Sequence, residues 1–211
     1  IEQRRFKMGL KTSEIYVGTP EQNSTTGAIA FGDLSLQLPE LPSDTLPAGY
    51  KDIGYINEDG VKISPSISTT KIKDWSGAKV RTLLEEFDGT IEFSIMQLDE
   101  NAFIAAVGEE NVSITAASAT HGKVVKAKFG VHMPPESRFV FRVKDGDKRL
   151  MVTVPNGQIT EFNDFELKST STANLSVKLS CNDDGNGDCM FITTDDGQKV
   201  TVASKNDKGE K

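Results

Sequence analysis

The six residues Thr90-Ile91-Glu92-Phe93-Ser94-Ile95 alternate polar and apolar without interruption. A period of two puts Ile91, Phe93 and Ile95 on one face and Glu92 and Ser94 on the other, as in a strand with one dry side and one wet side. Strand-like segments surround this one. Tyr55-Ile56 and Val61–Ile63 flank the turn signal Glu58-Asp59-Gly60 and are expected to pair as a hairpin. Ile67 to Trp75 alternates in part, Ser76-Gly77 turns the chain into Ala78–Phe87, and Asp88-Gly89 is expected to turn it again.

Within this run the sequence offers one helix. Asp99 suits an N-cap, Ala102, Phe103, Ala106 and Val107 recur at helical spacing, and Gly108 suits a left-handed terminating position. Two or three turns do not stand alone in water, so the helix must pack on the sheet. Strands then resume. Val124–Val131 is strand-like, and Phe139–Lys144 is expected to pair with Leu150–Val154 across Asp145-Gly146-Asp147-Lys148. Pro155-Asn156-Gly157 reads as a further turn. Leu175–Ser180 alternates well and is expected to pair with Met190–Ile192 across a polar turn.

The first fifty residues are less regular. Ile15–Val17, Ala28–Phe31 and the alternating Leu34–Leu38 are candidate strands, interrupted by turn residues and by Pro39, Pro42 and Pro47. This stretch reads either as a surface loop or as an arm packing on another copy. The expected class is mainly β, a β-sandwich or partial barrel with one short flanking helix. One domain spans residues 1–203, with residues 1–50 as the arm and 50–203 as the β core. The helix falls near 99–107, and residues 204–211 form a polar, disordered tail.

Composition narrows the function. With 31 Asp and Glu against 24 Lys and Arg the chain has a net charge of -7, which argues against a nucleic-acid binder that neutralises phosphates. It leaves open a role in which repelling phosphate is useful. No stretch has the roughly 18 consecutive apolar residues of a membrane span, and the opening Ile1–Phe6 lacks the apolar centre of a secretory signal. The triplets beginning at Asn23, Asn111 and Asn174 fit a glycosylation pattern that matters only in a secreted chain.

Few residues suggest chemistry. Asn182–Asp188 has the carboxylates and glycines of a calcium loop, but its flanks read as strands and Thr194 stands where a twelfth-position Glu would be needed. A solvated hairpin turn accounts for the same residues. Cys181 and Cys189 bracket this turn as a candidate disulfide, with two reduced, partly buried thiols as the alternative that suits a cytosolic product. His121 and His132 lie apart, without a nucleophile or carboxylate at motif spacing, and Glu85-Glu86 and Glu109-Glu110 would point to opposite faces of a strand. No catalytic residue, metal site or cofactor is expected.

The order of elements in Tyr50–Val112 resembles the major tail tube proteins of long-tailed bacteriophages, especially those with non-contractile tails. The likeness rests on Ile53-Gly54-Tyr55-Ile56-Asn57-Glu58-Asp59-Gly60-Val61, on Ile72, Trp75-Ser76-Gly77 and Val80-Arg81, and on Thr90–Phe93 leading into the helix. A fainter echo lies in Arg149–Ile159. The resemblance implies two packed antiparallel sheets with a flanking helix, and six copies closing a shared inner barrel into a ring. Rings would stack into a tube in the virion tail, assembled in the host cytoplasm. Partners would be the chain itself, a tape measure protein, tail-tip and terminator proteins, and DNA that passes without specific binding; no membrane partner is implied.

In such a tube Glu85, Glu86 and Glu92 are candidates to face the lumen, where negative potential keeps DNA from sticking. Arg4, Arg5, Phe6, Leu36, Leu38 and Ile67 are candidates for contacts between subunits or rings. Two alternatives remain at this point: the inner tube of a contractile injection or secretion system, and a calcium-dependent extracellular β-sandwich adhesin using Asn182–Asp188.

Overall fold

The structure, a computed structural model, describes residues 14–21, 28–163, 165 and 167–199. Its strands are β1 (Ile29–Gly32), β2 (Lys51–Asp52), β3 (Ile56–Lys73), β4 (Lys79–Ile95), β5 (Val112–Thr115), β6 (Val124–Ala127), β7 (Ser137–Asp145), β8 (Lys148–Phe162), β9 (Leu175–Asn182) and β10 (Phe191–Asp195). Among the described residues one α-helix, α1, covers Glu100–Val107, and a single 3-10 turn follows at Glu109–Asn111. The large sheet runs in the order β2-β1-β7-β8-β9-β4-β3, with β10 on β8, and β5 pairs with β6 in a separate ribbon. All pairings are antiparallel. The mainly β class with one short helix is as expected, but the sheet stays open and does not close into a barrel within one chain.

The sheet curls instead. β7 and β4 are three strand positions apart, about 14 Å in a flat sheet, yet Phe141 and Phe93 meet edge to face with ring centroids 5.8 Å apart. The core fills this curl: Phe31, Phe139, Phe141, Ile91, Phe93 and Leu179 belong to one buried cluster. The curl requires close approach at Gly157, where an added Cβ would lie 2.8 Å from the Phe139 ring and 3.1 Å from Leu179. The expected turn at Pro155-Asn156-Gly157 is therefore corrected. β8 runs straight through it, pairing with β7 and β10 in its first half and with β9 in its second.

Several other boundaries differ for identifiable reasons. Glu58-Asp59-Gly60 is not a hairpin turn; Ile56 pairs with Ile95 and Val61 with Phe93, so the intervening residues bulge out of one continuous strand. Asp88-Gly89 likewise lies inside β4, paired to Ser66 and Pro65. Leu34–Leu38 is a turn rather than a strand, because Asp33 accepts from Ser35 N–H at 2.8 Å and from Leu36 N–H through its carbonyl at 3.1 Å. Ile15–Val17 forms no strand, though Pro20 bridges to Val143. β9 cannot take β10 as its hairpin partner because β4 and β8 occupy both of its edges, and β10 moves to the free half of β8.

Two turns follow expectation. Asp145 and Lys148 pair across a two-residue loop with Gly146 at φ 65°, and Asp74–Ala78 closes β3 onto β4. The helix starts where the sequence places it: Asp99 accepts from Ala102 N–H at 3.0 Å. Its end is held by the Gly108 N–H on the Ile104 carbonyl at 2.9 Å and by the buried Asn111 amide on the Val107 carbonyl at 2.8 Å. Gly108 has φ 88° but ψ 151°, so it leaves the helix extended rather than left-handed. Ala102, Ala105, Ala106 and Val107 fall in the buried cluster that the sheet also supplies.

Candidate functional site

The β3–β4 hairpin is longer than the body that holds it. β9 supports β4 only from Gly89 to Ile95, so the residues between Pro65 and Gly89 have no strand neighbour but each other among those described. At about 3.3 Å per residue this free part projects roughly 30 Å. It has two unlike faces.

One face is polar and continuous across four strands. Register places Lys62 beside Glu92 and Glu92 beside Lys178, and Lys178 pairs with Glu161. Lys62 Nζ lies 3.2 Å from Glu92 and Lys178 Nζ 3.2 Å from Glu161, giving a row of alternating sign. The neighbouring rows are hydroxyls and amides: Ser64, Thr90, Ser180 and Gln158 on one side, and Ser94 with Ser176, oxygens 2.7 Å apart, on the other. Such exposed ion pairs contribute little stability, on the order of 0–1 kcal/mol each. Their effect is on the charge that the face presents.

The structure gathers Glu85, Glu86 and Glu92 onto this face. Glu86 is the register partner of Ser68 and Glu92 of Lys62, on the same side of the hairpin as Asp88. Glu85 corrects the expectation that adjacent residues must point to opposite faces. The register skips it between Leu84 and Glu86, and this bulge lets its carboxylate accept from Ser68 Oγ at 3.3 Å and from Thr70 Oγ1. Glu92 carries a compensating lysine, whereas Glu85, Glu86 and Asp88 form no ion pair among the described residues. Sequence reading missed Lys62, Lys178 and Glu161. The alternation of Leu175–Ser180 contained the signal, once β9 is paired with β4 rather than β10.

The other face continues the core pattern beyond the core. Ile91 and Phe93 are buried, but further out the same face carries Ile67 opposite Phe87 and Thr69 opposite Leu84. Ile67 is 64% exposed and Leu84 69%. The other contact candidates divide. Leu36 packs against Gly32 and Gly49 of its own chain, Leu38 is half-buried, and Arg4, Arg5 and Phe6 lie outside the described residues, as do the Asn23 triplet and residues 204–211.

The two cysteines are buried, unbonded thiols. Burial, then the neighbouring Cys189 and Asp88, push the Cys181 thiol up to about 12. Burial, then Asp183, Asp184 and Asp188, raise that of Cys189. In the adjoining loop, the Asn186 N–H, the Asn186 side chain and the Asp188 N–H hold Asp184 below the usual carboxylate range. Its oxygens thus serve the turn, and no group of three or more His, Cys, Asp or Glu among the described residues is arranged to hold a metal ion. No helix among them is long and apolar enough to cross a membrane.

A curled antiparallel sheet, with a wide polar face and an apolar arm that its own core does not cover, defines a structural subunit of an assembly. The sequence matches the phage tail tube protein family over residues 11–203, and the chain belongs to that family. Its role is structural, as a self-assembling tail tube component of a virion. No curated protein matches. Among solved structures, the chain is similar to the anti-feeding prophage cap, a tube-terminating cap, with 11% identity, 87% of this chain and 98% of that one covered, and a TM-score of 0.43. It is also similar to the PVC sheath/tube terminator of an extracellular contractile injection system in its extended state, with 10% identity, 84% and 99% covered, and a TM-score of 0.40.

Proposed function

We propose that copies of this chain close into rings, six to a ring, that stack into the conduit through which DNA leaves the particle. The polar face spanning β3, β4, β9 and β8 lines the bore, placing Glu85, Glu86 and Glu92 toward the DNA. Residues 1–203 act as one domain. Each ring closes a shared barrel from strands that end in free edges on the single chain. A tape measure protein occupies the bore during assembly in the host cytoplasm, and terminator and tail-tip proteins close the ends. The chain works without catalytic residue, cofactor, metal or membrane partner.

The observation that carries this reading is the apolar stripe of Ile67, Leu84 and Phe87 on a projecting hairpin. A core-type pattern with no core over it in its own chain is satisfied by the surface of another copy. Leu38 and Ile67 would then meet neighbouring subunits. Negative-stain electron microscopy of the concentrated, purified chain tests the reading: stacked hollow rings support it, and a protein that stays monomeric overturns it.

A further inference from the structure

Trp75 sits at the outermost point of the hairpin and is 105% exposed, so no described residue packs over it. The turn that carries it is nevertheless bonded. Asp74 accepts from Ser76 Oγ at 2.7 Å and from Ala78 N–H at 2.8 Å, and Gly77 N–H donates to the Asp74 carbonyl at 3.0 Å. These bonds fix the turn around the indole and consume the one carboxylate at the tip. The remaining charges there, Lys71, Lys73, Lys79 and Arg81, are all positive, in a chain whose net charge is -7.

At the root of the same hairpin lies an apolar groove of about 440 Å³, lined by Val17, Ile56, Val61, Ile63, Val143 and Leu150. Glu58 lines it too, stands exposed and forms no ion pair among the described residues, although Arg142 also lines it. An indole buries about 150–250 Å² when covered and takes apolar clefts that offer a polar rim. Tip and groove therefore match in polarity and, through Glu58, in sign.

We propose that Trp75 of one copy anchors in this groove of a second copy, with the tip cations against Glu58. The partner must be a second copy because the tip cannot reach its own groove. Trp75 lies twelve residues beyond Ile63 along β3, about 40 Å of extended strand, and the bulges bend that strand without reversing it. Every copy then gives one tip and receives one, a heterologous contact that propagates. The contact deepens the tube reading by naming one joint between copies, and it requires only that copies associate.

Trp75 is the one tryptophan of the chain and so reports on its own contact. Emission and iodide quenching are measured on the full chain, unassembled and assembled, beside W75A and V61E; circular dichroism verifies folding. Assembly is expected to shift the emission to the blue and abolish quenching. W75A and V61E are each expected to raise the concentration needed for assembly roughly tenfold or more, as for a buried aromatic anchor. Tubes in which Trp75 stays as quenchable as in the free chain overturn the contact while leaving the tube reading intact. So do tubes of V61E that form as readily as wild type with a blue-shifted Trp75, which would place the anchor elsewhere. A chain that never associates overturns both.

Discussion

Replacing Ile67 with alanine separates what stabilises the chain from what joins copies. In the single chain Ile67 is 64% exposed and faces Phe87 across the hairpin. Most of its side chain is thus already in water, and the substitution should change the stability of the unassembled protein by no more than about 0.5 kcal/mol. Full burial of an isoleucine contributes about 1.5–3 kcal/mol, so covering the exposed two-thirds is worth about 1–2 kcal/mol per contact. At about 1.4 kcal/mol per factor of ten, I67A should raise the critical concentration for assembly about 5- to 30-fold. The assay is sedimentation of assembled material across a dilution series, alongside calorimetric unfolding of the unassembled chain. An unchanged critical concentration, or a fall in unfolding temperature that accounts for the loss, refutes the argument that the stripe is an intersubunit surface.

Four further outcomes follow from the geometry. G157A should destabilise the fold by about 1–3 kcal/mol in urea titration, because its Cβ enters the space filled by Phe139 and Leu179. D99A should cost about 1 kcal/mol by the same measurement, through the lost bond to the Ala102 N–H. Cys181 should resist alkylation at neutral pH, since burial raises its thiol to about 12. A thiol raised in the folded state binds its proton more tightly there than when unfolded. Its contribution is complete below the ordinary value of 9.0 and is lost as pH climbs toward 12, so C181A should flatten the decline of stability in that window.

The sequence carried the local signals more faithfully than the pairing. Thr90–Ile95 and Asp99–Val107 were legible because one face of each meets the core, and burial enforces periodicity. Turn residues misled wherever a long strand bulged or curled: Gly60, Gly89 and Gly157 lie in strands, the last because a phenylalanine ring leaves no room for a side chain. The partner of β9 was not legible either, since nothing local in Leu175–Ser180 says that β4 and β8 will claim both edges. At the candidate site, Glu85, Glu86 and Glu92 were recognisable as carboxylates near alternating strands. That the first two share a face depends on a bulge, and that the third is compensated depends on Lys62, thirty residues away.

The row Lys62, Glu92, Lys178 and Glu161 sets how far the polar face can be felt. Signs alternate at the strand spacing, so the pattern repeats about every 9.6 Å, and the potential above such an array decays over about 1.5 Å. At contact the surface is rough, with attraction and repulsion side by side. One water layer away it is nearly flat. A polyanion sliding past with its hydration shell in place would meet little to hold it in any register, and longer-range repulsion would come from Glu85, Glu86 and Asp88 further along the arm. If this face lines the bore as proposed, friction rather than affinity is what its charge pattern would lower.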